Sequence, residues 1–169
     1  MSDLYTIVEI LEQLIVEHEK MLKLAGHKKD VLIKGNIDEL SRILQFESRC
    51  INAIQSLELE REKHVSLYLM QRGIRKETCY LSDLIEMTEK PELKQSLSAC
   101  QQKLGDIIAE LKAINDLNQK LIEQSLEFVN FTLEEMTAPS EEPTYQNTQK
   151  ASRPNPYTKP SHGFFDSKA

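Results

Sequence analysis

Along the stretch from Pro91 to Met136, apolar and small residues recur in alternating steps of four and three. They are Leu93, Leu97, Cys100, Leu104, Ile107, Leu111 and Ile114, continued by Asn118, Leu121, Ser125, Phe128 and Thr132. This is the period of a helix that packs lengthwise on another helix. Towards its end the stripe widens, because Leu121, Ile122, Leu126, Phe128, Val129, Phe131, Leu133 and Met136 occupy more than one face. A helix apolar over so much of its circumference is either buried or waiting for a partner to bury it. That pattern belongs to a binding protein rather than a catalyst.

Two further helices read in the same way. The first spans about 3–33, with Asp3 as its expected N-cap. Its seam runs through Leu4, Val8, Leu11, Ile15, His18, Leu22, Ala25, Lys29 and Leu32, with Ile7, Leu14 and Met21 beside it. Lys34-Gly35-Asn36 ends it: Gly35 suits a left-handed residue after the last turn, and Asn36 suits a cap for the next helix. The second helix spans 37–71, with Asp38 and Glu39 in its first turn. Its expected seam is Leu40, Leu44, Glu47, Ile51, Ile54, Glu58, Arg61, Val65 and Tyr68, with Ile37, Ile43, Cys50 and Leu57 alongside.

So short a link forces an antiparallel hairpin, in which Glu9 is expected opposite Arg61 and Lys23 opposite Glu47. Arg72-Gly73 breaks the second helix. A short helix at 81–88 lies in the connection, and Pro91 opens the long helix at 91–136. The expected fold is all-α: an elongated antiparallel hairpin packed with a third long helix that outruns it.

Composition divides the chain at residue 138. The helical domain is expected over 1–137. The segment 138–169 holds five of the six prolines and no Leu, Ile, Val or Met, so it reads as a disordered tail. Its large apolar groups are Tyr145, Tyr157, Phe164 and Phe165, candidate docking points.

The net charge is −6, and the part before the tail carries 17 basic against 24 acidic residues. Such a surface repels nucleic acid and anionic lipid. No secretory leader is visible and no apolar run is long enough to span a bilayer. Three cysteines without a paired spacing read as reduced thiols of a cytoplasmic protein.

Catalytic and metal-binding constellations are missing from the sequence. None of the four histidines lies three residues after a Glu, as a di-iron bundle requires, and no C-x-x-C, H-E-x-x-H, phosphate loop or nucleophile elbow occurs. His18 reads as a tolerated polar core residue, and Glu47, Glu58 and Arg61 as groups that set helix register. No enzyme, metal or cofactor is expected.

The block Asn118-Gln119-Lys120-Leu121-Ile122-Glu123-Gln124-Ser125-Leu126-Glu127-Phe128-Val129 resembles the C-terminal signature of FlgN-type flagellar export chaperones. The following polar tail, with its Tyr and its ending Phe165-Asp166-Ser167-Lys168-Ala169, is similar to Gram-positive members of that family. Lys34-Gly35-Asn36-Ile37-Asp38-Glu39-Leu40, followed by Glu47 and Arg61, fits its first hairpin.

The resemblance implies a cytoplasmic chaperone of the flagellar type III secretion system. Such a protein binds the hook–filament junction proteins FlgK and FlgL and brings them to the export gate component FlhA. On the residues, the expected client surface is Asn118, Leu121, Ile122, Ser125, Leu126, Phe128, Val129 and Leu133. By analogy with the family, the tail aromatics would contact the gate. Three alternatives remain at this point: a different flagellar client such as cap protein or flagellin, a self-associating coiled-coil scaffold, and use of the same residues to pack the protein's own bundle or a homodimer seam.

Overall fold

The computed structural model describes residues 2–139, and within them the chain is helical without strands. Four helices follow one another: α1 (Ser2–Lys34), α2 (Ile37–Gln71), α3 (Leu81–Met87) and α4 (Pro91–Thr137). The expected tail lies outside the described residues from 140 onward.

The α1–α2 link is two residues long because it caps both helices. Gly35 adopts φ 69°, and its N–H donates to the Leu32 carbonyl while that of Asn36 donates to Val31. These paired bonds close a Schellman motif. The Asn36 side chain then accepts from the N–H of Glu39, capping α2 at 3.1 Å. The same device ends α2: Gly73 has φ 67°, Gly73 N–H reaches Met70, and Ile74 N–H reaches Leu69.

Asp3 does not cap α1, which already includes Ser2. Its carboxylate instead ties the start of α1 to the end of α2. It accepts from Gln71 Nε2 at 2.8 Å and faces His64 Nδ1 at 3.3 Å. The hydrogen bond with His64 is the main influence holding the Asp3 carboxyl below its ordinary value.

α1 is flanked by α2 on one side and α4 on the other, and α2 and α4 do not approach each other closely. α1 and α2 are antiparallel. α4 runs parallel to α1, since Lys103 pairs with Glu19 at 2.9 Å and Asn118, further along, meets Ala25. The connection after α2 stays at the starting end of α1, braced internally by polar contacts and joined to α1 through Tyr5. Asp83 accepts from the Tyr80 N–H and pairs with Lys76, both at 2.8 Å, while Lys90 stacks over the Tyr5 ring.

The core is concentrated at this proximal end. Leu4, Ile7, Val8, Ile10, Leu11, Leu14 and Ile15 of α1 pack with Val65, Tyr68 and Leu69, with Leu84 of α3, and with Leu93, Leu97, Cys100 and Ile107. The distal end, near Gly35, has a sparse interior. Ala25, Val31, Ile43 and Cys50 are buried there beside the polar Glu47 and Asn118.

The expected α2 seam holds at Glu47, Val65 and Tyr68, which are buried, but not at two positions of its distal half. Leu44 and Ile51, placed in the seam on sequence, are 48% and 45% exposed, while Ile43 and Cys50 are buried. The physical reason is packing against α1. It takes the row Ile43, Cys50, Leu57, which meets a polar residue at His64, rather than Leu44, Ile51, which meets one at Glu58. The expected ion pairs also differ. Glu47 takes Lys28 at 3.0 Å, and Arg61 takes Glu58 of its own helix at 2.8 Å. Lys23 and Glu9 point to solvent on the outer face of α1, whereas Lys28 is largely enclosed.

The two ends and the two rows of α2 make a direct test. Leu14→Ala removes a fully buried side chain and should cost about 2–5 kcal/mol. Leu44→Ala should stay within about 0.5 kcal/mol. Urea unfolding followed by circular dichroism measures both; equal losses would return Leu44 to the seam.

Candidate functional site

The α1–α4 seam carries its last buried residue at Asn118. Its Nδ2 donates to the backbone carbonyl of Ala25 at 2.9 Å, and the side chain is 2% exposed. Ala25 is small enough to let α4 approach this closely. The Asn118 Oδ1 has no protein partner. Asn118, expected on the client surface, is therefore an interior residue. A buried Asn in a helix seam fixes axial register at some cost in stability.

Past this point the helices part company. α1 has nine residues left after Ala25 and α4 has nineteen after Asn118. About ten residues of α4, roughly 15 Å, thus extend beyond the end of α1. Leu121 and Ile122 are half-buried where the two helices separate.

Ser125, Leu126, Phe128, Val129 and Leu133 are exposed, Phe128 at 70%. Met136, 78% exposed, extends this surface, whereas Phe131, 61% exposed, lies on the opposite side of the helix. They were visible in the widened stripe but not placed among the site residues. The structure thus gathers seven of the eight candidate residues at one end and assigns the eighth to the core. Tyr145, Tyr157, Phe164 and Phe165 lie outside the described residues.

The exposed hydroxyls are satisfied locally. Ser125 Oγ donates to the Leu121 carbonyl at 2.9 Å, and Thr132 Oγ1 to Phe128 at 2.8 Å. Their bonds are turned onto the helix's own backbone, which leaves a low, largely apolar surface between the larger side chains.

The hairpin adds apolar groups that the expected seam concealed. Ile33, Ile37, Leu44 and Ile51 are exposed on the distal half of α1 and α2. Residues 37, 44 and 51 are seven apart and so share one helix face. The missed signal was the choice between two adjacent rows on α2.

This apolar ridge is not a small-molecule pocket. Surface clefts of about 390 and 400 Å³ lie at the proximal end, beside Ser66, Leu69 and Lys76. No group of three or more His, Cys, Asp or Glu suited to a metal occurs among the described residues. Among them, too, no helix is long and apolar enough to cross a membrane.

The FlgN protein family model matches residues 1–153. The chain belongs to the FlgN family.

FlgN membership supports a function as a flagellar export chaperone and the binding of hook-associated proteins as a class. The chain is also similar to YvyG of Bacillus subtilis (strain 168), described as an uncharacterized protein. The two are 31% identical over 163 residues, covering 96% of this chain and 97% of the relative. No solved structure matches. The FlgN match includes α1 to α4 and so the whole exposed surface.

Asn118 separates the interior from that surface, and two substitutions distinguish its role. Asn118→Leu removes the unpartnered Oδ1 and should leave stability unchanged or raise it. Asn118→Asp places a charge against the Ala25 carbonyl and should cost about 3 kcal/mol or more. Urea midpoints measure both, and equal, negligible effects would mean that Asn118 is not enclosed.

Proposed function

We propose that this FlgN-family protein is a cytoplasmic chaperone for FlgK and FlgL. It binds their terminal helical segments, prevents premature assembly and delivers them to the type III export gate. The observation carrying this reading is the exposed apolar run Leu126, Phe128, Val129, Leu133 on α4, past the point where the protein's own packing ends. Junction proteins assemble through terminal amphipathic helices. Before assembly these helices lack partners, and an apolar helix face of matching periodicity can receive one lengthwise.

The division of the molecule favours this use. The proximal core is complete without residues 121–137, so binding there need not disturb the fold. Leu126, Phe128, Val129 and Leu133 supply large anchors, and half-buried Leu121 and Ile122 carry the surface back to the bundle. Ser125, between them, permits close approach.

Replacing Val129 and Leu133 together by Glu should weaken client binding by at least about 2 kcal/mol, roughly 30-fold. The unfolding midpoint should hardly move, because both positions are exposed. Size-exclusion chromatography with light scattering, using purified FlgK and FlgL with and without their C-terminal helices, reads the complex. A variant that melts would make the face part of the protein's own core, and a wild-type chain that binds neither client and elutes as a stable oligomer would assign it to self-association.

Delivery is assigned to the segment after α4. Tyr145, Tyr157, Phe164 and Phe165 would contact FlhA while α4 holds the client. Such a tether raises the effective concentration of client at the gate. Deleting residues 138–169 should spare FlgK and FlgL binding and lower their secretion. Undiminished secretion by the truncated protein would remove the tail from the mechanism.

A further inference from the structure

The exposed end of α4 has a charge pattern that its apolar residues do not require. From Leu121 to Thr137 the helix carries Glu123, Glu127, Glu134 and Glu135 and no Lys or Arg. All four carboxylates are exposed, and none pairs with a cation among the described residues. Glu123 is touched by the neutral Gln119 amide at 3.1 Å.

Their positions are electrostatically adverse. The C-terminal end of a helix is the negative end of its dipole, where cations are favoured, yet the last turn of α4 has no basic residue. Some surface charges elsewhere are paired within and between helices, as in Glu17–Lys20, Glu58–Arg61 and Glu19–Lys103, but it is the lack of any basic residue over 121–137 that sets this end of α4 apart. The carboxylates are also ordered. Glu123, Glu127 and Glu134 fall on one line of the helix, and it borders the row Ile122, Leu126, Val129 and Leu133. The surface is therefore an apolar row with an unpaired acidic edge, facing the same solvent.

From this juxtaposition we propose that α4 selects amphipathic helices whose apolar stripe is flanked by Lys or Arg. The stripe seats on Leu126, Val129 and Leu133, and the basic flank pairs with Glu123, Glu127 and Glu134. This specifies the chemistry of the partner and rests on the reading of the face as a client site. Opposed charges beside an apolar contact steer the encounter and fix which way round the helix lies. Helices with acidic flanks are rejected by like-charge contact at the same positions.

The test uses the full chain and two synthetic helices with the same leucine stripe, one flanked by lysine and the other by glutamate. Fluorescence anisotropy should give the lysine-flanked helix an affinity about tenfold or more tighter. About 0.3 M salt should shrink that preference by screening. The variant E123Q/E127Q/E134Q changes only exposed groups and should bind the two helices alike. Equal binding of both helices by the wild type, or binding of neither, overturns the proposal. So would a wild-type dimer, seen by sedimentation, that the triple variant dissociates, since the edge would then serve a second copy of the chain.

FlgK and FlgL separate this proposal from the function beneath it. If the wild type and the triple variant capture them equally, the basic-flank rule fails and the chaperone reading stands. If neither is captured but the lysine-flanked helix keeps its preference, the selectivity stands and those clients are wrong.

Discussion

Everything in this molecule hangs on the burial of α1 between two helices whose backbones stay apart. α2 covers one side of it and α4 the other, and α3 closes the proximal end over Leu84. Because α1 is the shared surface, its length sets how far either neighbour can be covered. α2 matches it within two residues, at 35 against 33, whereas α4 has 47. The excess of α4 is placed at the distal end by its parallel start beside Leu4 and Tyr5. An apolar sequence continued past the end of its support has no intramolecular place to go.

The distal interior makes this end different in kind as well as in coverage. Lys28–Glu47 and Asn118–Ala25 are enclosed polar contacts, and such contacts specify alignment more than they add stability. Leu and Ile dominate the proximal core, where slippage would expose many apolar groups at once. At the distal end two directional contacts hold α2 and α4 at fixed heights on α1. The exposed end of α4 is thereby kept in position without relying on a large core beneath it.

The fold class and the sequence of helices were legible because long four-three stripes, two Gly turns and Pro91 all agree. Phase within a stripe was less legible. Leu40, Leu44, Ile51 and Ile43, Cys50, Leu57 form neighbouring rows on α2, and local periodicity alone does not choose between them. Each row meets a polar residue further along, Glu58 in one and His64 in the other, so the choice is made only by the packing against α1. Asn118 was ambiguous for a related reason: an amide on a seam fits an exposed border and an interior lock equally well until the facing residue is known to be Ala25. The exposure of residues 125–136 was anticipated from the excess length of α4 over the hairpin. Lys28 rather than Lys23 facing Glu47 required the rotation of α1, which charge spacing does not encode.

The two-residue link at Gly35 and Asn36 also bears on how the structure is acquired. It closes a hairpin between neighbours in the chain, whereas the contact of Asn118 with Ala25 spans 93 residues. Loop closure over so long a separation is slower than formation of a local hairpin. Synthesis from the N-terminus therefore presents α1 and α2 as a pair before α4 exists. During that interval the side of α1 destined for α4 is bare, and a nascent chain of this protein itself exposes an apolar helix face. The fold of this FlgN-family chain is completed only when its last and longest helix arrives.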